Sequence, residues 1–503
     1  MHIAFFNPQG NFDNADSYWT EHPDFGGQLV YVKELANAIQ RRGHEAVIFT
    51  RRIQDPAWPE FQEPEEVYQG SGVKIIRLDF GGPAFLHKEK LWPVIKDYAA
   101  AVEAWYVQRG NQPDVVTTHY GDGGIAGALF EASTGIPFTF TAHSLGAQKM
   151  DKMLKHADQL ADLDERYCFT IRLAAERTAM GRALVRMVST AQEKEHQYQH
   201  PLYQDLFVEE TKRPFAVIPP GVNQDLFSPR RSDVDQEVNS RFQQMMDRDI
   251  APSRHDLPLT IASSRLDAKK NVTGLVEAFA QNPAWQAASN LMLAVRGVED
   301  PARDSGSLKP EEQEQLNRIL AMVNKYHLGG KITFVNLSSQ QALGAAYRET
   351  ARRKGIFCLT SLYEPFGLAT IEAMSCGLPV VVTANGGGQE ILNSQGERHG
   401  ILVNPEDSQD IAQGALTLLK DRNAWENFRE QGLRRVQSTY TWDAAAQAYV
   451  TSIEEHLSDA RKRGGQGPEI PAYFNQPTGE NLQHLSWMTD RILERLSHSV
   501  SHS

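Results

Sequence analysis

The sequence predicts an α/β protein built from two Rossmann-like domains. Short, β-prone apolar runs alternate with helix-forming segments through both halves of the chain, the pattern of sheets with parallel strands. Polar and glycine-rich residues gather just after several strand ends, where open α/β sheets place their ligands. A polar stretch over 223–256 separates two such series and reads as the domain junction. With 503 residues, 41% hydrophobic and 23% charged, the chain has core enough for two large domains.

The first series opens with a strand over 2–7, a long polar and aromatic loop, then Phe25-Gly26-Gly27-Gln28 in front of an apolar-periodic helix over 29–40. Glycines at a helix N-terminus let backbone approach a ligand phosphate closely, although loops use glycine for other reasons too. Strands follow over 45–50 and 73–78, and the segment at Lys88 leads into a helix through Tyr106. The strand over 114–118 ends in His119-Tyr120-Gly121-Asp122-Gly123-Gly124, and the strand over 137–141 ends in His143-Ser144. The run 213–222 closes the half.

The second series begins with a strand over 258–264, followed by Arg265 and Lys270 ahead of a helix over 274–282. Two cations at a strand's carboxyl end suit a pyrophosphate; the plain alternative is solvated surface charge. Strands over 290–296 and 331–336 come next, the latter leading into 337–341 at the mouth of a helix. The centre of the chain is the βαβ unit over 355–383, a strand, the turn Glu364-Pro365-Phe366-Gly367, a helix stopped by Gly377 and Pro379, and a second strand. Glu364 lies at the helix entrance and Glu372 eight residues on. A carboxylate beside phosphates repels them unless it engages something else, such as sugar hydroxyls. The plain alternative is a helix-dipole glutamate and a solvated one. A strand over 400–403 and a helix over 408–419 follow. The polar tail carries a Lys/Arg/Gly-rich stretch near Arg461 and ends in a Ser/His-rich segment with a disordered composition.

A net charge of −12 argues against general polyanion binding, so no nucleic acid partner is expected. No stretch approaches membrane-span length and no signal peptide opens the chain, so no membrane partner and a cytoplasmic location are expected. Cys168, Cys358 and Cys376 have no metal-ligand spacing and read as free thiols.

Several long motifs carry a resemblance that covers roughly 3–450. They include the stretches 7–12, 15–33, 118–124 and 143–149, then 218–221, 263–271 and 361–367. In these the chain resembles the retaining family 4 nucleotide-sugar glycosyltransferases, and among them the bacterial sucrose-phosphate synthases. The resemblance implies the GT-B fold, two Rossmann-like domains facing each other across a cleft. It places the acceptor domain at 1–222, the nucleotide-sugar domain at 223–440, and at 441–503 a helix crossing back to the first domain plus a polar, partly disordered tail.

It also implies roles. Arg265 and Lys270 would hold the donor diphosphate and stabilise charge on the departing nucleotide, so no metal and no cofactor are expected beyond the co-substrate, UDP-glucose or ADP-glucose. Glu372 would bind the ribose, Glu364 the sugar hydroxyls, and backbone from Phe366, Gly367 and Leu368 the sugar and phosphate. The stretch from Leu337 to Gln341 would cradle the base, and Gly27 would approach the diphosphate. His143 would sit under the anomeric carbon, and with retention from one face no glycosidase-like carboxylate nucleophile is nominated. Gln28, Lys88, Tyr120, Ser144, Lys149 and Arg172 would hold the acceptor.

The implied acceptor is fructose 6-phosphate, giving sucrose 6-phosphate. The family commonly has more basic residues at 169–172, where this chain has Phe169-Thr170-Ile171-Arg172. Glycerol 3-phosphate, glycerol, glycerate or free fructose are therefore weighed beside it. A non-catalytic nucleotide-sugar-binding protein is the alternative of another class, and a dinucleotide oxidoreductase is disfavoured because no G-x-G-x-x-G follows the first strand. The sequence leaves open the oligomeric state and the choice between UDP and ADP.

Overall fold

The computed structural model describes residues 1–19, 22, 24–207, 214–301, 303–337, 339–394, 396–463 and 467–500. The chain divides into two compact units, one formed by Met1–Pro220 together with the chain from Trp442 onward, the other by Gly221–Thr441.

In the first unit, β1 (His2–Phe6), β2 (Glu45–Arg51), β3 (Glu65–Val67), β4 (Lys74–Leu78), β5 (Val115–His119), β6 (Phe138–Thr141), β7 (Arg186–Val188) and β8 (Phe215–Val217) form one sheet. Its order is β3-β4-β2-β1-β5-β6-β7-β8, parallel except for the antiparallel β3–β4 pair. β1 is held on both edges, with Ile3 opposite Ala46 on one side and Val115 on the other. A strand buried on both faces needs continuous apolar side chains rather than alternation, and Ile3, Ala4, Phe5 and Phe6 supply them. The strand order turns back between β1 and β5, which makes their carboxyl ends the switch point where such sheets bind ligands.

The second unit holds β9 (Leu259–Ser263), β10 (Asn290–Ala294), β11 (Ile332–Val335), β12 (Ile356–Leu359) and β13 (Val380–Thr383). A small hairpin, β14 (Asn393–Ser394) and β15 (Glu397–Arg398), precedes β16 (Ile401–Val403). The main sheet is all parallel, in the order β11-β10-β9-β12-β13-β16, with its switch point between β9 and β12.

Two expectations are refined. The chain divides at Pro220/Gly221, and the polar stretch 223–256, read as the domain junction, lies within the second unit: it contains the helix Val234–Asp249, whose Val238, Phe242, Met245 and Met246 are buried there. Its polar composition reflects the solvent face of an amphipathic helix. The tail is ordered over much of its length, in the helices Ala472–Asn475, Gly479–Gln483 and Ser486–Val500. Tyr473, Phe474, Leu485, Met488 and Ile492 join the core of the first unit, and the spacing of the last three follows the helical period. Arg495 pairs with Asp151, and Arg491 with Asp205 at 2.8 Å. Residues 464–466 of the Lys/Arg/Gly-rich stretch and 501–503 of the Ser/His-rich end lie outside the described residues.

The helix Trp442–Arg463 packs on the helix Gly27–Arg41 within the first unit. Its Tyr449 is fully buried and shares its hydroxyl with Thr117 of β5 and Thr139 of β6, the latter at 2.8 Å. Among the described residues no helix is long and apolar enough to cross a membrane.

Candidate active site

In the second unit the sequence-predicted cations stand at the end of β9. Asp267 caps the short turn Ala268–Lys270 by accepting the Lys269 backbone N–H at 2.9 Å. Lys270 Nζ reaches Glu364 Oε2 at 2.8 Å, and the Ser361 hydroxyl donates to the same oxygen at 3.0 Å. Arg265, in the loop between β9 and that turn, is exposed and carries no ion pair among the described residues.

The loop bearing Glu364 is pinned by backbone. The Leu362 N–H donates to Lys269 O at 2.9 Å, Glu364 N–H to Asn385 O at 3.0 Å, and Gly387 N–H to Glu364 O at 2.9 Å. This approach depends on Gly386, whose φ is +111° and where a Cβ would lie 2.0 Å from the Glu364 carbonyl oxygen. Gly386→Ala is therefore expected to destabilise the fold by about 2–4 kcal/mol, combining clash and strain. Gly72, at φ +80° with open space around it, is the control, and its alanine variant is expected to cost about 1 kcal/mol. Urea unfolding of both variants checks the difference.

Gly367, at φ +105°, begins the helix Leu368–Ser375. Phe366 is half-buried against Tyr440 and Leu368 is exposed. Glu372 lies one helical face further in, where burial pushes its carboxyl up to about 7, and no described side chain hydrogen-bonds it. Leu337 and Gln341 flank the start of the helix Gln340–Arg352 after β11, two strands away from β9, with Ser339 accepting the Ala342 N–H at 3.1 Å. Ser338 of that stretch lies outside the described residues.

In the first unit the structure brings five nominated residues into one pocket. Lys88, Tyr120, Ser144, Lys149 and Arg172 line about 660 Å³ of space that includes its open mouth. Lys88 pairs with Asp24 at 3.0 Å, and His87 binds the same carboxylate at 3.0 Å. Burial pushes the Asp24 carboxyl up, but these two partners outweigh it and hold it below its ordinary value. Arg172 Nε donates to Glu176 at 2.8 Å and its NH2 to the Ser144 carbonyl at 2.7 Å. Lys149 has its ammonium 4.4 Å from the Tyr167 ring centroid. Its pKa is lowered by burial and by the neighbouring charges of Arg172 and Lys88.

Sequence reasoning missed Trp92, Asp122 and Tyr167 in this pocket. Asp122 sits inside a quoted motif, and Trp92 and Tyr167 lie four and five residues from the nominated Lys88 and Arg172, but nothing in that spacing marks an aromatic side chain as pocket-lining. Gln28 is not brought there: it is buried and donates to Asn7 Oδ1 at 3.2 Å, bracing the end of β1. Thr170 and Ile171 are buried as well. The Thr170 N–H donates to Asp164 at 2.7 Å and its hydroxyl meets Thr489 at 3.3 Å, so only Arg172 of that run lines the pocket. Gly27 opens the helix Gly27–Arg41, with nothing within 4 Å of where its Cβ would be.

His143 follows β6 in the left-handed region, φ +54°, with Nε2 2.9 Å from His119 Nδ1 and the Tyr31 ring edge-on at 4.9 Å. Burial lowers His143 to about 3 and His119 well below its ordinary value, so both rings are neutral and one proton lies between them. His119 Nε2 is buried without a partner. An orphan lone pair costs less than an orphan N–H, which assigns the shared proton to His119 Nδ1 and leaves the His143 proton on its outward Nδ1. Among the described residues, no three His, Cys, Asp or Glu side chains gather as a metal site.

Comparison with known proteins covers both units. Residues 244–435 match the family model described as glycosyl transferases group 1, and residues 26–203 the glycosyl transferase 4-like domain. A probable sucrose-phosphate synthase of Thermosipho melanesiensis is 44% identical over 456 residues, 90% of this chain and 97% of the relative. A probable sucrose-phosphate synthase 1 of Oryza sativa is 30% identical over 485 residues, 86% of this chain but 44% of that longer protein. The solved sucrose-phosphate synthase of Thermosynechococcus elongatus superposes with a TM-score of 0.64 at 26% identity, over 91% of this chain and 100% of that one.

Proposed function

The chain belongs to the sucrose-phosphate synthase family of GT-B glycosyltransferases and is a nucleotide-sugar-dependent enzyme, and from this we propose that it moves glucose from UDP-glucose or ADP-glucose to fructose 6-phosphate. The observation that carries the acceptor is the pocket in the first unit, where Lys88, Lys149 and Arg172 surround polar groups able to hold sugar hydroxyls.

In this reading the second unit holds the donor. Arg265 and Lys270 take the diphosphate, and Glu364, fixed by Lys270 and Ser361, accepts from the glucose hydroxyls. Glu372 accepts from the ribose. The acceptor hydroxyl oxygen bonds to the anomeric carbon as the bond to the diphosphate oxygen breaks. The hydroxyl proton passes to the departing diphosphate on the same face, giving sucrose 6-phosphate and the nucleoside diphosphate with configuration retained. Charge growing on the diphosphate is met by two cations placed before reaction begins. The neutral His143 adds no positive charge beside the developing oxocarbenium ion.

A second reading keeps the donor chemistry and changes the acceptor. Two of the three pocket cations already have carboxylate partners, Asp24 and Glu176, which favours a less charged acceptor such as glycerate or free fructose. Product formation from each donor against fructose 6-phosphate, fructose, glycerol 3-phosphate, glycerol and glycerate tests both. Turnover with fructose 6-phosphate alone is expected. Turnover with another acceptor instead establishes the second reading, and nucleotide-sugar binding with neither transfer nor hydrolysis leaves a binding protein.

A further inference from the structure

The pocket of the first unit contains a carboxylate that the mechanism above does not use. Asp122 lies in the first turn of the helix Tyr120–Thr134, just past β5 at the sheet's switch point, and lines the pocket beside Tyr120 and Ser144. It is 5% exposed, and its Oδ2 is buried with no hydrogen-bond partner. A buried carboxylate oxygen left unpaired is costly, so its retention in a ligand-sized space calls for a partner from outside the chain.

The cations nearby do not need it. Lys88 has Asp24 at 3.0 Å and Arg172 has Glu176 at 2.8 Å, each a buried carboxylate of its own. Lys149 rests against the Tyr167 ring. Lys149 is the pocket cation with no carboxylate partner among the described residues, Glu89 also lines the pocket, and Asp122 is thus a surplus acceptor beside it. A bare anion would be repelled by it. A ligand that carries both an anionic group and a hydroxyl satisfies both.

We propose that Asp122 binds a hydroxyl of the acceptor sugar, so that the pocket selects a sugar phosphate over inorganic phosphate. This rests on the acceptor reading given above. The phosphate engages Lys149 and Arg172, and one sugar hydroxyl donates to Asp122 Oδ2.

The test is calorimetric titration of the full chain, wild type and Asp122→Asn, with fructose 6-phosphate and separately with inorganic phosphate. Asp122→Asn is expected to weaken fructose 6-phosphate binding by about 10- to 100-fold and to leave inorganic phosphate binding unchanged or tighter. Monodeoxy analogues of the sugar phosphate extend it. One analogue is expected to bind wild type about 10-fold or more weakly, with the same affinity for both forms of the protein. Equal losses for the sugar phosphate and for phosphate overturn the proposal, because Asp122 would then serve only the cation cluster. So does a wild-type chain that binds fructose 6-phosphate no better than the variant. Should the variant not fold, the analogue series on wild type decides alone, and a flat series overturns the assignment. A wild-type chain that binds no sugar phosphate overturns instead the acceptor reading on which the assignment rests.

Discussion

Replacing Lys270 with alanine is expected to lower kcat by about 10³-fold while costing only about 1 kcal/mol of stability. The ammonium is held 2.8 Å from Glu364 by a turn that Asp267 caps, and both side chains keep some exposure, 26% and 14%. Its removal therefore leaves a carboxylate that water can reach and that Ser361 still bonds. In the proposed reading, what disappears is a positive charge placed in advance where the diphosphate would leave. Lys270→Arg keeps the charge but not the compact geometry and is expected to recover part of the rate. Single-turnover rates for the three forms, measured beside their unfolding curves, check this. A kcat within tenfold of wild type for the alanine variant would remove Lys270 from the diphosphate site.

Glu372→Gln is expected to make the ligand-free protein more stable and the enzyme worse. Burial pushes the carboxyl of the partly buried Glu372 up to about 7, against an ordinary value of 4.5. The folded state therefore keeps a proton that the unfolded state gives up between those values, and stability falls as pH rises through this window. Glutamine carries no charge and removes that slope. At pH 8 the variant should gain about 1–3 kcal/mol over wild type, and near pH 4 the two should coincide. On the proposed donor reading the same change removes an acceptor for the ribose hydroxyls, so the donor KM should rise by about tenfold or more. Melting temperatures at pH 5 and pH 8 decide the first part; identical shifts at both would mean that the carboxyl is not buried as a charge.

The loop nominated for the donor was the part of the chain whose local structure was most legible. Its chemistry is local: strand end, Glu364, a glycine that opens the helix, and Glu372 on that helix all fall within one βαβ unit. The pocket of the first unit was not legible as a whole. Lys88, Tyr120, Ser144, Lys149 and Arg172 come from separate loops and helices, and only the sheet order β1-β5-β6 brings the loops after β5 and β6 together. That Gln28 faces inward toward Asn7 was not legible, because a polar residue beside Gly27 gives no sign of its direction. The Thr170-Ile171 departure has no counterpart in the pocket, since a helix turns neighbouring residues to different faces and these two face the core. The order of the tail was missed through reliance on composition: Leu485, Met488 and Ile492 are spaced for one helix face in an otherwise polar segment.

The first unit is completed by residues that follow the whole of the second unit in the chain. Trp442, Ala445, Ala446, Tyr449, Val450 and Ile453 are part of the core that also contains β1 and the helix Gly27–Arg41, while Leu485, Met488 and Ile492 complete the other face. On the ribosome, Gly221–Thr441 is a continuous segment and can fold as it emerges, whereas the unit begun by Met1–Pro220 must wait with apolar surface uncovered until the helices beyond Thr441 leave the exit tunnel. The unit started first is thus completed after the second, and a nonsense codon after Thr441 would release a chain with a foldable second unit and an unfinished first unit.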